Sequence, residues 1–388
     1  MDFHPHLLSD RFSQSDRRDD GLGLGISELA ARSPADHWPR GGRSGSRKRP
    51  APRDCQTRAL QAGDRGGRAR PVAAPEGRRT GARCQRSPRG VGPLTADVLP
   101  FESSFFGWLN ERGMRCDRCS FPVPGASGST TGYFLAPERP ARQKVLALHG
   151  AGNDALFAWI GLFKALLLAR TEIFTFDLPG HGRWSDTVFT PDAASGSVRA
   201  AVSILMQEGA TLPLHAIGVS LGGSVLLRTL VELQDSFASA ALVVAPLQIE
   251  LSPSSIVREV GPRSFAMLWR EREHYGLTGL IPSFGSFKRE VYPLRLAERP
   301  PSGTFGYVAA LNDALDRMCL EEAATRVQLP VLLVYGSDDC IVPIEQGEML
   351  DSLLPRSELL RIRNGTHLST PLERETMGRL IQWVGERR

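Results

Sequence analysis

One stretch, PLHAIGVSLGGSVLL at 213 to 227, constrains this chain more than any other. Leu214, Ala216 and Ile217 read as a buried strand, and Val225, Leu226, Leu230 and Leu233 recur at helical spacing. Between them lies Gly218-Val219-Ser220-Leu221-Gly222. A serine on so tight a strand-to-helix turn takes up strained backbone angles, and the residues two positions either side must be tiny to clear it. Gly218 and Gly222 meet that need. With 39 glycines in 388 residues the five-residue pattern alone arises easily by chance. The strand before it and the helix after it set this one apart. The same turn directs the Leu221 N–H, at the positive end of a helix, toward any oxyanion formed beside the Ser220 Oγ.

The length allows one large or two ordinary domains, and 41% hydrophobic residues can bury a sizeable core. The longest apolar stretch, ALFAWIGLFKALLLA at 155 to 169, is short for a membrane span and carries Lys164, so a core helix and no membrane span are expected. Arg17-Arg18 is followed at once by Asp19 and Asp20, and the next segment is broken by glycines. An export signal is therefore not expected, and a cytoplasmic protein is. The six cysteines are scattered, which makes reduced thiols the default. Cys116 and Cys119 form a C-x-x-C with no second pair or histidine pair to complete a metal site, so they read as strand residues and no metal is expected.

The net charge of +5 divides unevenly: residues 1 to 100 hold 19 Lys and Arg against 11 Asp and Glu, and the remainder holds 28 against 31. That first segment is crowded with Arg, Gly and Pro, lacks hydrophobic periodicity and is expected to be disordered, or to be translation from upstream of the true start. An arginine-rich arm invites a nucleic-acid reading, but this one has almost no aromatic residues to stack on bases. Its bias of arginine over lysine, 43 to four along the chain, extends through the rest. No nucleic-acid partner is predicted.

From residue 101 to 388 apolar runs alternate with helical stretches, as in an α/β protein whose mostly parallel sheet has helices on both faces. Strands are predicted at 117–122, 131–136, 144–150, 172–180, 213–219, 239–246, 331–337 and 358–364, with helices at 155–169, 192–208 and 373–387. Residues 251 to 305 break the alternation with helical fragments and read as a cap inserted over the carboxyl ends of the strands. Phe265, Leu268, Trp269 and Phe284 would give it an apolar underside suited to an acyl chain.

Two further motifs stand in register with the turn: His149-Gly150-Ala151-Gly152 directly after a strand, and Asp177-Leu178-Pro179-Gly180-His181-Gly182-Arg183-Trp184-Ser185. Together they make residues from roughly 103 onward resemble the α/β-hydrolase superfamily in its serine-nucleophile branch of esterases, lipases and serine aminopeptidase-like enzymes. The second motif has one residue more before its serine than the family's D-x-x-G-H-G-x-S. The resemblance implies a second oxyanion N–H from Ala151, and a Ser, Asp/Glu, His order along the chain. Gly336-Ser337-Asp338-Asp339-Cys340-Ile341-Val342-Pro343 resembles the family's G-x-x-D-x-x-x-P and makes Asp339 the expected orienting acid. Adjacent Asp338 competes for the role, and Glu250 is a third candidate. His367 follows the final strand where the family carries its base; His149, His181, His215 and His274 fall in loops, a strand or the cap region, and the other three histidines in the N-terminal segment.

A serine hydroxyl needs a base to take its proton, and the imidazolium formed needs a carboxylate to hold its orientation. The expected reaction is therefore hydrolysis of a carboxylic ester, or a related acyl bond, of a small apolar substrate through an acyl-enzyme on Ser220, with His367 as base and Asp339 as its orienting acid, and without metal or organic cofactor. Serine at position 220 disfavours the dehalogenase and epoxide hydrolase members of the fold, whose chemistry uses an aspartate there. Acyl transfer to another acceptor, peptide cleavage and a silent binding scaffold remain alternatives.

Overall fold

The computed structural model describes residues 85–86, 100–126, 128–184, 186–207, 212–250, 259 and 303–387. The expected cap at 251–305, apart from Glu259 and its last three residues, and most of the expected disordered segment lie outside these. Nine strands build one sheet: β1 (Gln85–Arg86), β2 (Arg115–Pro122), β3 (Ser129–Ala136), β4 (Gln143–Leu148), β5 (Thr171–Phe176), β6 (Leu214–Val219), β7 (Ser239–Val243), β8 (Val331–Gly336) and β9 (Ser357–Ile362). Their order across the sheet is β1-β2-β3-β5-β4-β6-β7-β8-β9. The first three strands pair antiparallel, β3 also antiparallel to β5, and every pairing from β5 across to β9 is parallel.

The helices are α1 (Pro100–Asn110), α2 (Ile160–Leu168), α3 (Pro191–Gln207), α4 (Leu221–Leu233), α5 (Gly303–Asp316), α6 (Leu320–Arg326), α7 (Ile344–Leu353) and α8 (Arg374–Glu386). Among the described residues no helix is long and apolar enough to cross a membrane. The stretch expected as a helix from residue 155 opens instead with a 3-10 turn, Phe157–Trp159.

Central strands β4, β6, β7 and β8 are buried at every position, which is why they read as unbroken apolar runs rather than alternating ones. The sheet separates two cores. Phe121, Phe176, Leu221, Val225 and Leu333 belong to one; Phe105, Phe163, Leu332, Leu380 and Trp383 belong to the other. Cys116 and Cys119, three residues apart on β2, point into opposite cores. Both are free thiols, as is Cys340, and burial with neighbouring Asp117 and Glu102 holds the Cys116 thiol far above its ordinary pKa.

Parallel registry sets the strand ends level: Leu148 pairs with Gly218, Val219 with Val243, and Gly336 with Ile362. The loops leaving β4, β6, β8 and β9 therefore share one rim of the sheet.

Candidate active site

The elbow forms as its sequence demands. Ser220 sits at φ 48° and ψ −125°, a region that costs a non-glycine residue about 1–3 kcal/mol and is kept only where surroundings over-determine it. They do so here. The Ser220 N–H donates to the Val243 carbonyl at 2.8 Å, and the Ser220 carbonyl accepts from Gly223 at 2.8 Å and Ser224 at 3.2 Å, which starts α4. A Cβ at Gly218 would come within 2.6 Å of the Gly222 carbonyl oxygen, and one at Gly222 would collide with the His149 carbonyl oxygen. As first residue of α4, Leu221 has an N–H with no carbonyl of its own helix to bond.

His367 lies in the loop after β9, and its Nε2 is 3.0 Å from the Ser220 Oγ. Its Nδ1 is 2.9 Å from Asp339 Oδ2. The other carboxylate oxygen, Oδ1, accepts the backbone N–H groups of Ile341 at 2.9 Å and Val342 at 2.8 Å, which locks the Asp339 side chain in the loop after β8. With Asp339 accepting at Nδ1–H, Nε2 is left free to accept the serine proton. Burial disfavours the imidazolium, but the Asp339 carboxylate and then Glu259 outweigh it and raise the His367 pKa above the ordinary histidine value.

The other candidates for the acid fall elsewhere. Asp338 accepts from the Ser337 hydroxyl at 3.1 Å, and exposed Glu250 meets this loop through its backbone N–H, which donates to the Ile341 carbonyl at 3.0 Å.

The loop after β4 sits against the serine: a Cβ on Gly150 would be 3.1 Å from the Ser220 Cβ. Ala151, next in that loop, is half-buried. His149 fixes the loop. Its Nε2 accepts the Leu178 N–H at 2.9 Å, so the proton resides on Nδ1, which donates to the Gly150 carbonyl at 2.8 Å. Complete burial and neighbouring His181 push its pKa well down, which keeps this ring neutral. His181 packs edge-on against it with ring centroids 4.9 Å apart, and His215 is held in the sheet by Ser239 at 2.9 Å.

Behind these loops is a polar cluster that motif reading touched only in part. Asp177 accepts the Ala155 and Arg183 N–H groups at 2.9 Å each. Arg183, within the loop that is one residue longer than the family pattern, makes a two-pronged ion pair with buried Glu102 at 2.8 and 2.7 Å and meets the Tyr133 hydroxyl at 2.6 Å. Among the described residues no cluster of His, Cys, Asp or Glu could hold a metal ion.

One residue bonded to the His367 backbone carried no sequence signal. Glu259 bonds to backbone amides of the loops that carry Asp339 and His367, and a contact made to main chain leaves no pattern of partner residues to read.

Residues 145–377 match the family model described as "Alpha/beta hydrolase family". The chain is similar to a pimeloyl-[acyl-carrier protein] methyl ester esterase of Chromobacterium violaceum, 28% identical over 238 residues, covering 58% of this chain and 86% of the relative. It is similar also to a monoacylglycerol lipase of Xenopus laevis, 23% identical over 319 residues, covering 73% and 89%. In structure it matches a candidate lipase from Acinetobacter baumannii at a TM-score of 0.52 and 19% identity, covering 75% of this chain and 96% of that one. The sheet order, the elbow and the loops around it thus have one common explanation: the chain belongs to the alpha/beta hydrolase family.

Proposed function

We propose that this protein is a serine hydrolase that cleaves a carboxylic ester of a small apolar substrate through an acyl-enzyme on Ser220. The observation that carries the reading is the continuous relay from the Ser220 Oγ through His367 to Asp339, at 3.0 and 2.9 Å. His367 Nε2 takes the serine proton as Oγ attacks the ester carbonyl, and Asp339 holds the ring and balances the imidazolium. The backbone N–H groups of Leu221 and Ala151 receive the tetrahedral oxyanion. His367 then passes its proton to the leaving alcohol oxygen; water, deprotonated by the same ring, attacks the acyl-enzyme and releases the acid. Relatives named as an esterase and a lipase support an ester as the bond cleaved.

The test is labelling by a fluorophosphonate probe together with hydrolysis of p-nitrophenyl esters of increasing acyl length. The parent is expected to label and turn over, and Ser220→Ala to lose labelling and at least about 10⁴ in kcat. A parent protein that folds but does not label overturns the reading in favour of a non-catalytic scaffold.

A further inference from the structure

Glu259 is 1% exposed, and a carboxylate so deeply placed must be held by donors. Its Oε1 accepts the backbone N–H of Cys340 at 3.3 Å and that of His367 at 3.2 Å. Its Oε2 accepts the N–H of Leu368 at 3.3 Å. These amides belong to two loops that are remote in sequence: Cys340 directly follows Asp339, and the other two are His367 itself and its successor. One side chain therefore ties the acid loop to the base loop at the residues that matter. The charge has a second effect. The His367 ring is faced by the Asp339 carboxylate at Nδ1, by the Ser220 hydroxyl at Nε2, and by the Glu259 charge, which favours the protonated ring.

We propose that Glu259 is a positioning residue for the acyl-transfer site: it fixes the Asp339 and His367 loops against each other and supplies a second negative charge that stabilises the imidazolium formed when His367 takes the Ser220 proton. This rests on the reading of His367 as the base. Tautomer control stays with Asp339, whose Oδ2 meets the ring at Nδ1.

The two contributions separate in two variants. Glu259→Gln removes the charge and keeps one acceptor oxygen, enough for the Cys340 and His367 amides held by Oε1, at the loss of the Leu368 bond; Glu259→Ala removes the charge and all three bonds. In the full chain, with a p-nitrophenyl ester as substrate, Glu259→Gln is expected to label with the fluorophosphonate and keep KM within about twofold. Its kcat should fall about tenfold, the equivalent of one weakened charge-assisted hydrogen bond. The acid limb of its kcat/KM profile should move to lower pH by about half a unit, because a ring without the second carboxylate gives up its proton more readily. Glu259→Ala should fall about tenfold further.

An acid limb in Glu259→Gln that superimposes on the parent's overturns the charge role, and an Ala variant as fast as the Gln variant overturns the tie between loops. A Gln variant that no longer unfolds cooperatively assigns Glu259 to stability and overturns both. Should the parent itself fail to label, the base reading falls and this inference with it, whereas a labelling parent with unmoved variants sinks the inference alone.

Discussion

At Ser220 the backbone strain and the chemistry have the same origin, since the positive φ that lifts Oγ out of the sheet is tolerated because glycines flank the turn. Gly222→Ala forces a Cβ into the Leu148 and His149 carbonyls, so the elbow and the loop after β4 must move apart. We expect at least about 10²-fold loss of ester hydrolysis, the scale of one lost oxyanion donor, with a lowered midpoint in thermal unfolding. Asp339→Asn should cost about 10⁴ in kcat by upsetting the His367 tautomer, while Asp338→Asn should stay within about twofold; steady-state kinetics on one ester compares them. His367 must be neutral to accept a proton and its pKa is raised, so the acid limb of kcat/KM should centre above 6.5. That Ser220, His367 and Asp339 would meet was legible because the proposed chemistry imposes residue types, an order and loops after strands. Asp339 was the expected acid from its place in the motif, and the fold sets its carboxylate against His367 Nδ1 while adjacent Asp338 accepts from the Ser337 hydroxyl.

At the scale of loops and helices, the segments behind the loop after β4 are held by buried carboxyls. Asp154 accepts the Leu156 and Phe157 N–H groups at 2.8 and 2.7 Å. Burial and the neighbouring Asp177 charge raise its pKa to about 7, and burial raises that of Asp177 to about 6. Both folded values exceed the unfolded value of 3.8, so the stability these groups contribute is full below that pH and is lost as pH rises through the folded values. Asp154→Asn keeps an acceptor and cannot ionise. Its melting temperature should therefore gain on the parent's between pH 4 and 7, by about 2 °C or more; a constant difference across that range rejects the assignment. Element boundaries followed the sequence closely where the signal was a buried run, as in β6, and less so where backbone geometry intervened. Residues 307 to 327 carry one continuous helical pattern, yet Cys319 at φ 50° divides it into α5 and α6. Strand β1 has two residues and no periodicity to detect.

For the molecule as a whole, the sequence yielded the parallel sheet and its two covered faces, because all-buried strands have no polar side to alternate with. It did not yield the neighbour relations: β5 lies between β3 and β4, a choice made by long-range pairing that no local pattern encodes. Helix α8 closes one face with Trp383, 1% exposed. Trp383→Ala should cost about 3–5 kcal/mol, measured by denaturant unfolding, without changing which serine labels. The distances along the chain between the residues of the candidate site carry a kinetic meaning as well. Ser220 and His367 are 147 residues apart, and their contact requires β6, β8 and β9 to be in register together. Such far-apart contacts are closed late in folding, after local helices have formed. A fluorophosphonate added during refolding should accordingly behave as a clock for the final event, lagging the recovery of helical signal, because Ser220 becomes reactive only when the far end of the chain has arrived.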